Sequence, residues 1–92
     1  MTAEVTRPVV LLRYFAWLRE KTGIGEERLV LPVEITTVAE LLSWQVSRGH
    51  PFDQAFQKSE AIRVALDRVH AKPGSPIGGA REIAFFPPVT GG

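Results

Sequence analysis

One well-signalled amphipathic helix, set among short β-prone runs, constrains this 92-residue chain more than any other feature. Thr37-Val38-Ala39-Glu40 has capping-box spacing: the Thr oxygen accepts from a free helix N–H, and the Glu reaches back to the cap. Behind it Val38, Leu41, Leu42 and Gln45 fall on one stripe, with Val46 at its edge. Arg48 and Gly49 close the helix, glycine being the residue that most readily takes the left-handed conformation there. A lone helix with one apolar face needs a sheet to bury it against.

The flanking segments supply that sheet. Residues 9–15, VVLLRYF, are β-branched and aromatic and predict a strand. With Val10, Leu12 and Tyr14 facing inward, Leu11, Arg13 and Phe15 face out. Residues 16–22 predict a short helix stopping at Gly23, and residues 27–31 a second strand that Pro32 ends, the two strands forming a hairpin with an expanded loop. Residues 62–66 predict a strand, Asp67-Arg68 a tight turn, and residues 69–71 a short return. Residues 82–86 predict the last strand, with Ile83 and Phe85 inward and Glu82, Ala84 and Phe86 outward; Pro87 stops it for want of a ladder donor. Residues 50–60 read as loop with a helical turn near 54–58, and residues 72–80, rich in Gly and Pro, as loop. The expected fold is α+β in two layers: a mixed sheet of four to five strands covered by one main helix. The β-grasp has this element order. The layers follow from physics; the topology is an analogy.

Composition excludes several function classes. The formal charge is +1 with Lys and Arg scattered among acids, so no nucleic-acid partner is expected. No apolar run approaches the roughly 20 residues of a membrane span, and MTAEVTRPVV lacks the pattern of a signal peptide. Cysteine is absent, which removes disulfides, thiolate metal sites and a cysteine nucleophile and suits a cytoplasmic protein. His50 has no companion ligand at metal spacing, and Gly74 to Gly79 lacks the Lys-Ser/Thr of a phosphate loop. Trp44 lies off the helix stripe and is expected to pack against the 50–58 segment. Glu26, Glu27, Glu34, Glu40 and Glu60 read as solvated, with no acid–base pair among them.

The C-terminus, FFPPVTGG, carries the chemistry. Pro87 and Pro88 favour a stiff, extended path away from the sheet. Gly91 and Gly92 lack Cβ atoms, so the end of the chain can thread a narrow channel; Val89 and Thr90 are tail contacts. A single domain over residues 1–87 with a flexible tail at 88–92 is expected. Phe86 and Phe15 fall on neighbouring strands of the uncovered sheet face and predict a partner-binding patch, with His70 a further candidate.

FFPPVTGG resembles, residue for residue, the C-terminus of the small-subunit family of molybdopterin synthase, the ubiquitin-like β-grasp sulfur carriers. Val10-Leu11-Leu12-Arg13-Tyr14-Phe15-Ala16, Leu18-Arg19-Glu20, Thr37-Val38-Ala39-Glu40-Leu41 and Glu82-Ile83-Ala84-Phe85-Phe86 are similar to that family's first strand, first helix, central helix and last strand. Departures are Asp67 where an Asn is usual, Gly79-Ala80-Arg81-Glu82 where a glycine stands between acids, and Trp17 where a smaller or polar residue is common. The resemblance implies that an adenylyltransferase related to ubiquitin-activating enzymes uses Mg-ATP to adenylate the Gly92 carboxylate. A sulfur donor then makes a thiocarboxylate, which attacks cyclic pyranopterin monophosphate in the large synthase subunit. It further implies a heterotetramer of two large and two small subunits, no permanently bound cofactor, and no catalytic side chain in the carrier. Since no residue follows Gly92, the carrier is expected in its mature form without cleavage. Sulfur delivery to a thiamine thiazole or to tRNA thiolation, a ubiquitin-like modifier joined through Gly92 to lysines, and an interaction module with an inert tail are the alternatives.

Overall fold

The computed structural model describes residues 8–88. Along the chain these form β1 (Val10–Tyr14), α1 (Ala16–Thr22), β2 (Glu26–Leu29), α2 (Val38–Ser47), α3 (Phe52–Phe56), a 3-10 turn (Ser59–Ala61), β3 (Arg63–Leu66), β4 (Val69–Ala71) and β5 (Glu82–Phe86). The sheet order is β2-β1-β5-β3-β4. β1 and β5 run parallel at its centre, and the other neighbours are antiparallel. This is the β-grasp arrangement, with five strands.

Alternation sorts the strand residues as their polarity requires. Val10, Leu12, Tyr14, Val64, Ile83 and Phe85 are buried beneath Val38, Leu41 and Leu42 of α2. The capping box forms: Glu40 N–H donates to Thr37 Oγ1 at 3.2 Å, and Glu40 Oε1 accepts from the N–H of Thr37 at 3.2 Å and of Thr36 at 2.7 Å. These bonds, the Thr36 backbone first, hold the Glu40 carboxyl below its ordinary value. The 72–80 loop finishes the job, because Val38 N–H donates to the Ser75 carbonyl at 3.0 Å and Ala39 N–H to that of Pro73 at 2.9 Å. The free donors at this helix end are therefore occupied within the chain.

The β3–β4 turn places Asp67 (φ 49°) and Arg68 (φ 72°) in the left-handed region, as a two-residue hairpin demands. Asp tolerates that region better than most residues, and here its carboxylate has further work. Asp67 Oδ1 accepts from the N–H of Arg81 at 2.9 Å and of Glu82 at 3.0 Å, which ties the turn to the start of β5.

Residues 50–60 hold more structure than the loop with a helical turn near 54–58 expected there. Phe52, Ala55 and Phe56 fall at i, i+3 and i+4 on the short helix α3, and Ala55 and Phe56 are fully buried. The Phe56 ring meets Phe85 edge-on at 5.2 Å, while Tyr14 stacks on Phe85 at 5.4 Å. What reads as a polar stretch with isolated aromatics delivers the middle of the aromatic core.

Candidate functional site

The face of the sheet turned away from α2 is the surface on which the candidate residues meet. Pairing Tyr14 with Phe85 in parallel register puts Phe15 and Phe86 at neighbouring positions on that face, and the N–H of Phe15 donates to the Phe85 carbonyl at 3.1 Å. Phe15 is 38% exposed, and Phe86 is half-buried. Each ring takes a polar companion. The Arg13 guanidinium lies 5.1 Å from the centre of the Phe15 ring, and the exposed His70 meets Phe86 edge-on at 5.2 Å. Arg13 is steadied by Glu82 at 3.3 Å and by Glu26 at 3.9 Å. Ala65 and Ala84 pair between the two flanks, so small side chains form the floor of the patch.

The structure thus brings Phe15, Phe86 and His70 together on one face. Pro87 and Pro88 follow directly from β5 and are half-buried. Val89, Thr90, Gly91 and Gly92 lie outside the described residues. Among the described residues no three His, Cys, Asp or Glu side chains gather as metal ligands, and no helix is long and apolar enough to cross a membrane.

A second polar constellation escapes the sequence reading. Glu27, expected to be solvated, is half-buried and bound on both oxygens by Arg48, Nη1–Oε2 at 2.7 Å and Nη2–Oε1 at 3.0 Å. Tyr14 OH donates to the same Oε2 at 2.6 Å, and Gln45 Nε2 donates to the Tyr14 oxygen at 2.9 Å. The Arg48 guanidinium also stacks between Phe52, at 3.8 Å, and Trp44, at 4.8 Å. Trp44 therefore meets the 50–58 segment through Arg48. Two of the other acids also have partners: Glu26 faces Arg13, and Glu40 serves the cap.

The electrostatics of this cluster are structural. Burial, and then the bond to Glu27, push the Tyr14 phenol above its ordinary value, so it stays protonated and donates. Burial alone raises the Glu27 carboxyl, but the Arg48 and Tyr14 hydrogen bonds outweigh it and hold the group below the usual carboxylate range. A folded-state value below the unfolded one stabilises the protein above about pH 4, and that contribution is lost as pH falls through the folded value. Glu27→Gln should cost about 1.5–3 kcal/mol at neutral pH and flatten the acid limb of stability. Urea unfolding at neutral and acid pH reads this directly; equal acid sensitivity in both proteins would assign the limb to other carboxylates.

Comparison with known proteins agrees with this geometry. Small archaeal modifier protein 1 from Haloferax volcanii superposes with a TM-score of 0.65 at 24% identity, over 92% of this chain and 100% of that one. A putative molybdopterin converting factor subunit 1 from Pyrococcus furiosus gives 0.62 at 20% identity, over 88% and 98%. Small archaeal modifier protein 1 from Methanosarcina acetivorans gives 0.62 at 22% identity, over 97% and 100%. At these identities the likeness is one of fold. No curated protein sequence matches the chain. A family model does, from residue 12 to residue 92, and this chain belongs to the ThiS family of ubiquitin-like β-grasp sulfur carriers.

Proposed function

We propose that this chain is the sulfur-carrying small subunit of a molybdopterin synthase. Gly92 is the reacting residue, Gly91 gives it access, and Val89 and Thr90 hold the tail in its channel. The observation that carries the reading is the placement of the tail's root. Pro87 and Pro88 leave the central strand β5, which is bonded on both sides, beside the open face bearing Phe15, Phe86 and His70.

The chemistry sets the order of events. A carboxylate is a poor electrophile, so the Gly92 carboxylate first attacks the α-phosphorus of Mg-ATP on an adenylyltransferase, releasing pyrophosphate. A sulfur nucleophile then displaces AMP to leave a thiocarboxylate. That group is ionised near neutral pH and is nucleophilic for the reason a thiolate is. In the large subunit its sulfur bonds to a carbon of cyclic pyranopterin monophosphate, water then hydrolyses the acyl–sulfur bond to return the Gly92 carboxylate, and two such deliveries complete the dithiolene. The partner supplies the cationic groups that hold the phosphate and stabilise developing charge. The carrier supplies its main-chain end and a docking face. It works in the cytoplasm within a two-plus-two heterotetramer.

Reconstitution with a cognate large subunit tests this. The thiocarboxylated chain should convert precursor to molybdopterin, and Phe86→Ala should weaken binding to the large subunit by about tenfold or more. Failure of the wild-type chain to form dithiolene would overturn the assignment; unchanged affinity of the variant would remove Phe86 from the interface.

A second reading draws on two of the structural relatives, which are named as modifier proteins. The same acyl-adenylate, met by a lysine amine in place of sulfur, gives an isopeptide bond through Gly92. Conjugates of this chain in its own cell would favour that outcome.

A further inference from the structure

Trp17 has no part in the site described above, and the cleft it lines carries its own chemistry. The cleft, about 230 Å³ in volume, lies between α1 and α3 and is lined by Trp17, Lys21, Gln54, Ala55, Gln57 and Lys58. Ala55 is buried and Trp17 half-buried, so the floor is apolar. Lys21, Gln54, Gln57 and Lys58 are exposed and form the rim. Neither lysine is within ion-pair distance of a carboxylate among the described residues, and no acidic side chain lines the cleft. Its position matters as much as its lining. Trp17 stands two residues after Phe15, whose N–H is bonded to Phe85, so the cleft opens at the end of the domain from which Pro87 and Pro88 depart.

We propose that this cleft is a second docking site, which takes an acidic segment of a protein partner that engages the tail; the inference rests on the carrier function proposed above. An apolar side chain of the segment covers the indole. Carboxylates beside it meet Lys21 and Lys58, and the Gln54 and Gln57 amides bond to its backbone. An indole in a pocket ringed by polar groups is the arrangement in which a few residues dominate binding. Two rim ammonium groups without an ion-pair partner among the described residues favour a negative occupant and add mainly to the rate and selectivity of encounter. The open face of the sheet differs, since its central Arg13 already has Glu26 and Glu82. A carrier that presents one tail to two enzymes in turn gains a further means of telling them apart from a site beside the tail but off the open face.

Binding to the activating enzyme and to the large subunit decides the matter, with the full chain, the double variant Lys21→Glu/Lys58→Glu, and Trp17→Ala. Both lysines are exposed, so the double variant should fold as the wild type does, whatever Trp17→Ala does to the core. At low salt the double variant should bind at least one of the two enzymes about tenfold more weakly, with the gap closing at high salt. Trp17→Ala should weaken the same complex by about thirtyfold. Equal affinity of wild type and double variant for both enzymes overturns the proposal, as does a loss that salt leaves unchanged. Wild-type chain that acquires no sulfur overturns the carrier reading and this inference together. Wild-type chain that acquires sulfur, with a double variant that binds normally, overturns this inference alone.

Discussion

Phe85→Ala should remove about 3–5 kcal/mol of stability, the usual cost of emptying a fully buried aromatic site. Against a total of about 5–15 kcal/mol for a small domain, that leaves a chain unfolded or close to it. Phe85 is the residue on which the two halves of the core converge, with Tyr14 stacked on one side and Phe56 edge-on. It also pairs with β1 on one side and β3 on the other. The loss should appear as a lower urea midpoint at unchanged slope. Phe85→Leu, which keeps most of the volume, should retain the greater part of the stability. A loss below about 1 kcal/mol for the alanine variant would mean that the aromatic cluster is not the centre of this core.

Removing Gly92 should have the opposite profile, with chemistry lost and fold kept. The deletion draws the terminal carboxylate back by about 3.5 Å. A displacement of about 1 Å in a reacting group already costs on the order of 100-fold in rate, so adenylation and sulfur transfer should fall at least that far. Stability should change by less than about 0.5 kcal/mol, since the buried core is made by residues between Val10 and Phe85. Conversion of precursor to molybdopterin at the wild-type rate by the shortened chain would contradict the role given to Gly92.

The sequence was most legible where local pattern and tertiary role coincide. Period-two alternation sorted β1 and β5 correctly, because a sheet with one covered face punishes any slip of register. The Thr37–Glu40 box and the Asp67-Arg68 turn were readable because their geometry depends on residues close in the chain. α3 was harder to read, since five residues hold too few turns for a period to show. Phe52, Ala55 and Phe56 do carry the helical spacing, and three aligned apolar residues in a polar stretch were the available signal.

Glu27 illustrates the other limit. Alternation places it on the inner side of an edge strand, where a carboxylate has no evident business. Its reason is Arg48, 21 residues on, together with Tyr14 and Gln45. Inward polar residues at Tyr14, Glu27 and Gln45 mark a buried network only once the topology has brought β1, β2 and α2 together. On the open face, alternation gave the direction of Arg13, Phe15 and Phe86, while the contacts of His70 with Phe86 and of Arg13 with Glu26 and Glu82 depended on cross-strand register.

The most direct test of the carrier function is the intact mass of this chain after incubation with its activating enzyme, Mg-ATP and a sulfur donor. The account predicts a species in which one terminal oxygen has been exchanged for sulfur, formed by the wild type and absent from the Gly92 deletion. A wild-type mass that stays unchanged under conditions where a known carrier acquires sulfur would contradict it.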